Sequence, residues 1–501
     1  MSEAAIVNPD KPAIARRKRR HLPRRVMYLA IAVSSLPTLA VIIAFPVTNL
    51  LVNSKWHGFR AEWESQGEIF DLDSLLSPPV PDAQNFAKCD LIAECFRPQI
   101  SPRRTEGSIP DNVPDNLRLR ELSLFSSGEF SHPKEKLPRA YTTGIPIDLA
   151  SYLPDDSTRS SSNAVPADRI HEIFATHREV LAELMTAANL PEARFDVNLN
   201  APSRTPVSHL PPLIEAMHSL RLRNLMLIES GAESADEAAE SLIRTLRLIR
   251  LATASEGFVS HTIRVKAFDD GGLDVTWQAL FRQRFTDSQW QRIDREFRAF
   301  EFGPELLHAL RFERAALVRE VERGFERRSS RPFSVPPAWV NLSGLMDYAA
   351  LTQRFWFTDA ANGRTLSDGP SLPQLAAIEA KVAKMPTNFT NLIIAAGVLP
   401  IHDFAVQSRQ IEAQRDHALI AIALERYRLA HGALPDHLSQ LIPEFLPELP
   451  TSPATGQPPR YERASNPDDS APAPTGYRLR GFGDETGAGD PFWVMPAGGI
   501  Q

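Results

Sequence analysis

The stretch HEIFATH sets His171 and His177 six residues apart. Two imidazoles share one zinc ion from a single helix when they are four apart, so this spacing turns the two rings toward different faces. FDDGGLD gathers Asp269, Asp270 and Asp274, but the alternating oxygen ligands of a calcium loop are missing, and the stretch reads as an acidic break between helices. GFGDETGAGDP contains Gly481, Gly483 and Gly487 without a following helix, so the backbone amides that cradle a dinucleotide phosphate are not provided. Neither a G-x-S-x-G elbow, nor a phosphate-binding loop with its lysine, nor a cysteine–histidine signature occurs. No local motif therefore specifies a reaction. A hydrolase on this chain would have to assemble its residues from separated positions, with His171, His177 or the 269–274 carboxylates lining a pocket.

The elements that would position such residues come in three kinds. The chain of 501 residues is 43% hydrophobic and 23% charged, a composition that supports a substantial core. Its net charge of −6 argues against a general nucleic-acid binder, whose surface would be strongly basic. That average conceals one asymmetry. Lys11 to Arg25 is almost wholly basic or neutral, and it runs into Val26 to Val52, which carries no charged side chain. At 1.5 Å per residue this run would extend roughly 40 Å, enough to cross a ~30 Å hydrocarbon layer with some tilt. Pro37, after Ser34 and Ser35, would kink it. The expectation is a single-pass anchor with the arginine block in the cytoplasm and everything beyond Lys55 on the far side.

Five regions follow: a basic tail (1–25), the transmembrane helix (26–52), a Pro-rich, partly ordered segment (53–166), a helical domain (167–385) and a final region (386–501). Clusters such as SPPVPDAQNFA and PDDSTRSSSNAVP keep the third region from forming long helices. It also holds both cysteines, Cys89 and Cys95. A helix would put them ~9 Å apart in rise, beyond the ~7 Å Cα limit of a bridge, so pairing requires a loop there. The helical domain is marked by capping boxes at Ser234 to Glu237, Thr286 to Gln289 and Ser371 to Gln374. Helices of such length joined by short turns imply hairpins in a bundle. A basic run, Arg323 to Arg331, falls near the end of one of them.

In the final region a helix runs from Asp403 to His431, stopped by Gly432 and Pro435, and GYRLRGFG and PFWVMP read as short strands. Ala423 to Leu429, Gly432, Pro435, Leu438, Leu441, Pro450 to Pro453, Gly456-Gln457-Pro458, Tyr461, Gly476-Tyr477-Arg478-Leu479 and Gly483-Asp484 occur in an order that resembles the C-terminal module of the major pseudopilin of type II secretion. The leader and the Gly-Phe-Thr-Leu-x-Glu signature of that family are not present at the N-terminus. The layout as a whole resembles membrane-anchored bacterial envelope proteins. The resemblance implies one long helix laid over a small antiparallel sheet. It also implies calcium in the terminal loop, where Asp484, Glu485 and Asp490 offer carboxylates, and Thr486 and backbone carbonyls offer further oxygens.

The expected protein is mainly α, a helical bundle with one transmembrane helix and a small pseudopilin-like α+β module. Its expected role is structural, in the envelope of the bacterial inner membrane, with membrane and protein partners and no nucleic acid. The alternatives are an envelope hydrolase with a dispersed site and a calcium-stabilised component of a secretion assembly.

Overall fold

The computed structural model describes residues 54–65, 67–97, 117–133, 138–154, 166–329, 401–451, 458–463, 476–481 and 492–496. The run at 26–52, the loop holding Asp484, Glu485 and Asp490, the Ser371 capping box and the boundary at 385/386 lie outside these residues. Among the described residues no helix is long and apolar enough to cross a membrane.

The chain is mainly helical and ends in a small sheet, as its periodicities predict. Helix α1 covers residues 54–65. The Pro-rich region then supplies α2 (Asp90–Ala93), α3 (Ala140–Thr143) and several single 3-10 turns. The longer helices are α4 (Pro166–Thr176), α5 (Arg178–Ala187), α6 (Leu210–Glu229), α7 (Ala235–Ala252), α8 (Phe258–Ala267), α9 (Asp274–Arg282), α10 (Asp287–Arg298), α11 (Phe302–Ser329) and α12 (Ile401–His431). Strands β1 (Arg460–Arg463), β2 (Tyr477–Arg480) and β3 (Phe492–Met495) form an antiparallel meander, with Tyr461 opposite Leu479 and Leu479 opposite Trp493.

Helices α6 and α7 pack as the predicted hairpin, and α7 lies against α10. α12 packs on α10 and α11 and also touches β3, so the terminal region shares one continuous core with the helices before it. That core runs from Phe86 to Met495 and contains Trp277, Trp290 and Trp493 without exposed surface. Short Pro-punctuated pieces contribute to it too: Leu91, Leu119 and Leu122 are buried although their helices last only one turn. Burial of each such side chain contributes about 1.5–3 kcal/mol, which explains how segments too short to be stable alone are held in place.

Two local expectations change. The capping box at Thr286 is complete, with Gln289 bonding back to the Thr286 amide at 2.8 Å. Ser234 makes no such bond, because it closes a 3-10 turn with ψ near 0° instead of adopting the extended backbone of an N-cap. Glu237, its expected partner, is paired with Arg223 instead. FDDGGLD is not a break between helices. Phe268–Leu273 form a π-helical turn that joins α8 to α9 without interruption. Gly432, at φ +79°, ends α12 where its position in the sequence predicts.

Cys89 and Cys95 are free thiols at either end of α2, and burial raises both pKa values, that of Cys95 to about 11. Such thiols are poorly nucleophilic at neutral pH.

The π turn gives a paired test of core packing. A Cβ on Gly272 would stand 3.1 Å from the Phe268 ring and 3.2 Å from Leu246, whereas one on Gly271 would meet only Ile249 at 3.6 Å and Thr245 at 3.8 Å. Gly272→Ala should therefore cost about 1–3 kcal/mol through overpacking, and Gly271→Ala should be neutral or gain about 0.4–1 kcal/mol. Urea unfolding of the two variants checks this, and equal losses would contradict it.

Candidate functional site

The π turn places Asp269 and Asp270 one turn before Asp274, and a π bulge of this kind redirects side chains that an unbroken helix would spread around its circumference. The three carboxylates converge on two arginines brought from elsewhere. Arg139, just ahead of α3, pairs with Asp269 and Asp270 and reaches Asp274 at 3.1 Å. Arg221, on α6, donates to the Asp270 carbonyl at 2.9 Å, the Tyr152 hydroxyl at 2.8 Å and Asp274 at 3.2 Å. Lys266 adds a contact to Asp270 at 2.9 Å. The Tyr141 hydroxyl donates to Asp269 at 2.6 Å, and the Ala140 amide to Asp274 at 3.2 Å.

Three cations thus face three carboxylates in a largely buried setting, and the charges balance. Burial opposes ionisation of Asp270, yet Arg139 and Lys266 outweigh it and hold its carboxyl below the usual value. Burial is also the largest influence on Asp269 and pushes its carboxyl up, against the pull of Arg139 and the Tyr141 hydroxyl. The Tyr141 phenol is pushed well above its ordinary value by burial and by Asp269 beside it. A guanidinium stands where a metal ion would have to sit, and among the described residues no group of three or more His, Cys, Asp or Glu side chains could hold a metal. This constellation joins chain segments and does not present reactive groups.

It also positions the sheet. The Tyr141 ring stacks on Trp493 of β3 with centroids 5.4 Å apart, and the Trp277 indole on α9 donates to the Val494 carbonyl at 2.7 Å. Trp493 is fully buried. One ion network and two aromatic contacts therefore fix β3 on the helical body.

The arrangement with room for a ligand lies elsewhere. A cleft of about 570 Å³ opens between α7, α10, the turn after α5 and the SPPVP stretch, and its lining includes Arg247, Arg250, Glu296, Val80, Leu190 and Leu251. Arg247 donates to one oxygen of Glu296 at 2.7 Å and Arg250 to the other at 3.0 Å. The opposite wall is held by local bonds: Phe86 N–H donates to the Glu192 carbonyl at 2.8 Å, Arg194 Nε to the Ser77 carbonyl at 2.8 Å, and Ser77 N–H to Glu256 at 2.8 Å. Glu256 in turn meets His308 at 2.6 Å. A second cleft of about 650 Å³ lies beside Ser123, Ser127 and Glu215.

Of the residues singled out by sequence, Asp269, Asp270 and Asp274 are brought together, but by arginines that occupy them. His171 is exposed on α4 and His177 is half-buried at the junction with α5, away from both clefts' linings. Arg139, Tyr141, Tyr152 and Arg221 escaped sequence reasoning because their partners lie 49 or more residues away. Arg247 and Arg250 were visible as a three-residue spacing on one helix face, without anything local to say that they share Glu296. No protein-family model matches this chain, and no curated protein or solved structure matches it either.

Two outcomes are expected. Arg139→Met leaves three carboxylates short of a cation and should cost about 3–5 kcal/mol of unfolding free energy, whereas Tyr141→Phe should cost only about 1 kcal/mol; denaturant unfolding distinguishes them, and similar losses would deny the arginine its central place. The second concerns acid. Burial lowers the pKa of His209 to about 4, and those of His261 and His417 to about 3. Each folded value lies below the unfolded ~6.5, so stability is whole above that pH and is lost as pH falls toward the folded values, because the unfolded chain takes up the protons. His209, stacked on Phe195 at 3.9 Å, takes up one of these protons on unfolding, so His209→Phe should flatten the fall in urea midpoint between about pH 6.5 and 4.5.

Proposed function

We propose that this chain is a membrane-anchored structural and interaction protein of the bacterial envelope. Residues 26–52 cross the inner membrane, residues 1–25 remain in the cytoplasm, and the helical body with its terminal sheet lies in the periplasm, where it serves a secretion or envelope assembly. The arginine block ahead of an uncharged run supports this orientation. The ordered likeness of the last region to the pseudopilin module supports the kind of assembly. Calcium in the 484–490 loop, held by Asp484, Glu485 and Asp490, belongs to the same reading.

The observation that carries the proposal is the attachment of α1. The helix described at 54–65 begins two residues after the uncharged run and is tied directly to α11. The Trp56 indole donates to Glu322 at 3.2 Å, and Arg60 reaches the same carboxylate at 3.3 Å. Trp56 is 1% exposed and meets Phe70 edge-on at 5.9 Å. Behind this contact Glu68 is buried between Arg311 and Arg314, and Arg314 lies over the Phe70 ring at 4.6 Å. An anchor followed within two residues by a docked helix holds the body close to the bilayer. That suits a scaffold better than a tethered enzyme that must sweep for its substrate.

Reporter fusions after Gln501 test the topology. An alkaline phosphatase fused there should be active and a β-galactosidase inactive in bacterial cells expressing the full chain. The reverse pattern would place the body in the cytosol and end the proposal.

A further inference from the structure

We propose that the cleft between α7 and α10 binds a small apolar monocarboxylate, its carboxylate taken by Arg247 and Arg250 and its hydrocarbon part lying against Val80, Leu190 and Leu251. The first ground is stoichiometry. Two guanidiniums share one carboxylate, and each gives Glu296 a single N–H. A guanidinium carries five donors, so most of this pair's N–H groups have no partner among the described residues. Both side chains are about a third exposed (36% and 35%), whereas Glu296 has only 10% of its side chain exposed. The arginines are therefore the more accessible part of the cluster, Arg250 Nε is buried without a partner, and the cluster is one anion short of balance. Glu192 on the rim is exposed, where water and salt screen it.

The second ground is shape. About 570 Å³ falls within the range of small-molecule sites, and Val80, Leu190 and Leu251 add an apolar strip to a lining that is otherwise largely polar. The third is preorganisation. Arg250 is steadied over the Phe300 ring at 5.9 Å, and the facing wall is pinned through Asn85, whose side chain accepts from Arg194 N–H at 2.9 Å and donates to the Arg194 carbonyl at 3.2 Å. A planar carboxylate matches two forked guanidiniums better than a spherical anion does, because each fork offers parallel N–H bonds.

Calorimetric titration of the purified full-length protein tests this with three probes: 4-methylpentanoate, 4-methylpentanamide and inorganic phosphate. The acid should bind saturably, the amide at least tenfold more weakly, and phosphate more weakly than the acid because it leaves the apolar wall unused. Val80→Trp, which fills the cleft without touching a charge, should abolish binding while leaving the thermal midpoint near that of the parent. Glu296→Gln keeps both guanidiniums and removes the resident competitor, so the acid should bind several-fold more tightly. Equal binding of acid and amide, tighter binding of phosphate, or undiminished binding by a folded Val80→Trp variant would each overturn the assignment. The test is independent of membrane topology.

Discussion

The interaction on which most of the architecture depends is the buried ion network at the π turn. Arg139 belongs to the Pro-rich region, Arg221 to α6, and the three aspartates to the junction of α8 and α9. These parts have little local reason to meet. The network supplies one, because each carboxylate taken out of water must find a cation or remain protonated, and only the native arrangement provides three for three. Tyr141 extends the same cluster to Trp493, so the position of β3 follows from that of Asp269. Loss of Arg139 would thus propagate to a sheet strand more than 350 residues away in sequence.

Networks of this kind contribute less to net stability than their contact distances suggest, since desolvation offsets most of the attraction. Their stronger effect is on uniqueness. Leucine-rich helix faces such as those of α6 and α7 could pack in several registers, but a register that separates Arg221 from Asp274 takes one of two guanidiniums from a carboxylate that is 3% exposed. Glu68, paired with Arg311 and Arg314, imposes the same condition on the segment after α1 and on α11. The hydrophobic core provides the magnitude of stability, and these ionic contacts select among its possible packings.

How much of this could be read from sequence depended on the range of the interaction. The capping box at Thr286 and the stop at Gly432 are local, and they were legible because one backbone geometry serves one residue type. The strands in GYRLRGFG and PFWVMP were legible from their short apolar runs, and Leu479 and Trp493 indeed face each other in the sheet. Ser234 misled because an identical motif can follow a 3-10 turn, whose backbone points the hydroxyl elsewhere. FDDGGLD misled more instructively. Two aspartates and two glycines are poor helix formers, and in isolation the stretch would break. It stays helical because Arg139 and Arg221 neutralise its charges and Gly272 admits the Phe268 ring and Leu246 at close range. Both causes come from distant segments, which local propensity does not contain. The candidate cleft was illegible for the same reason, since its walls come from four separate stretches.

The π-turn network and the α7–α10 cleft use identical chemistry, guanidinium against carboxylate, and differ in the ratio. Where cations and anions balance, each carboxylate has its cation, the side chains are about a quarter exposed or less apart from Lys266, and the cluster holds the fold together. Where two arginines share one glutamate, donors remain, and both arginines line open volume. Counting charges around a buried cluster therefore separates a structural clamp from a site with spare capacity. The same count explains why the acidic stretch that stood out in the sequence turned out to be spoken for, while an unremarkable pair of arginines three residues apart on a hydrophobic helix did not.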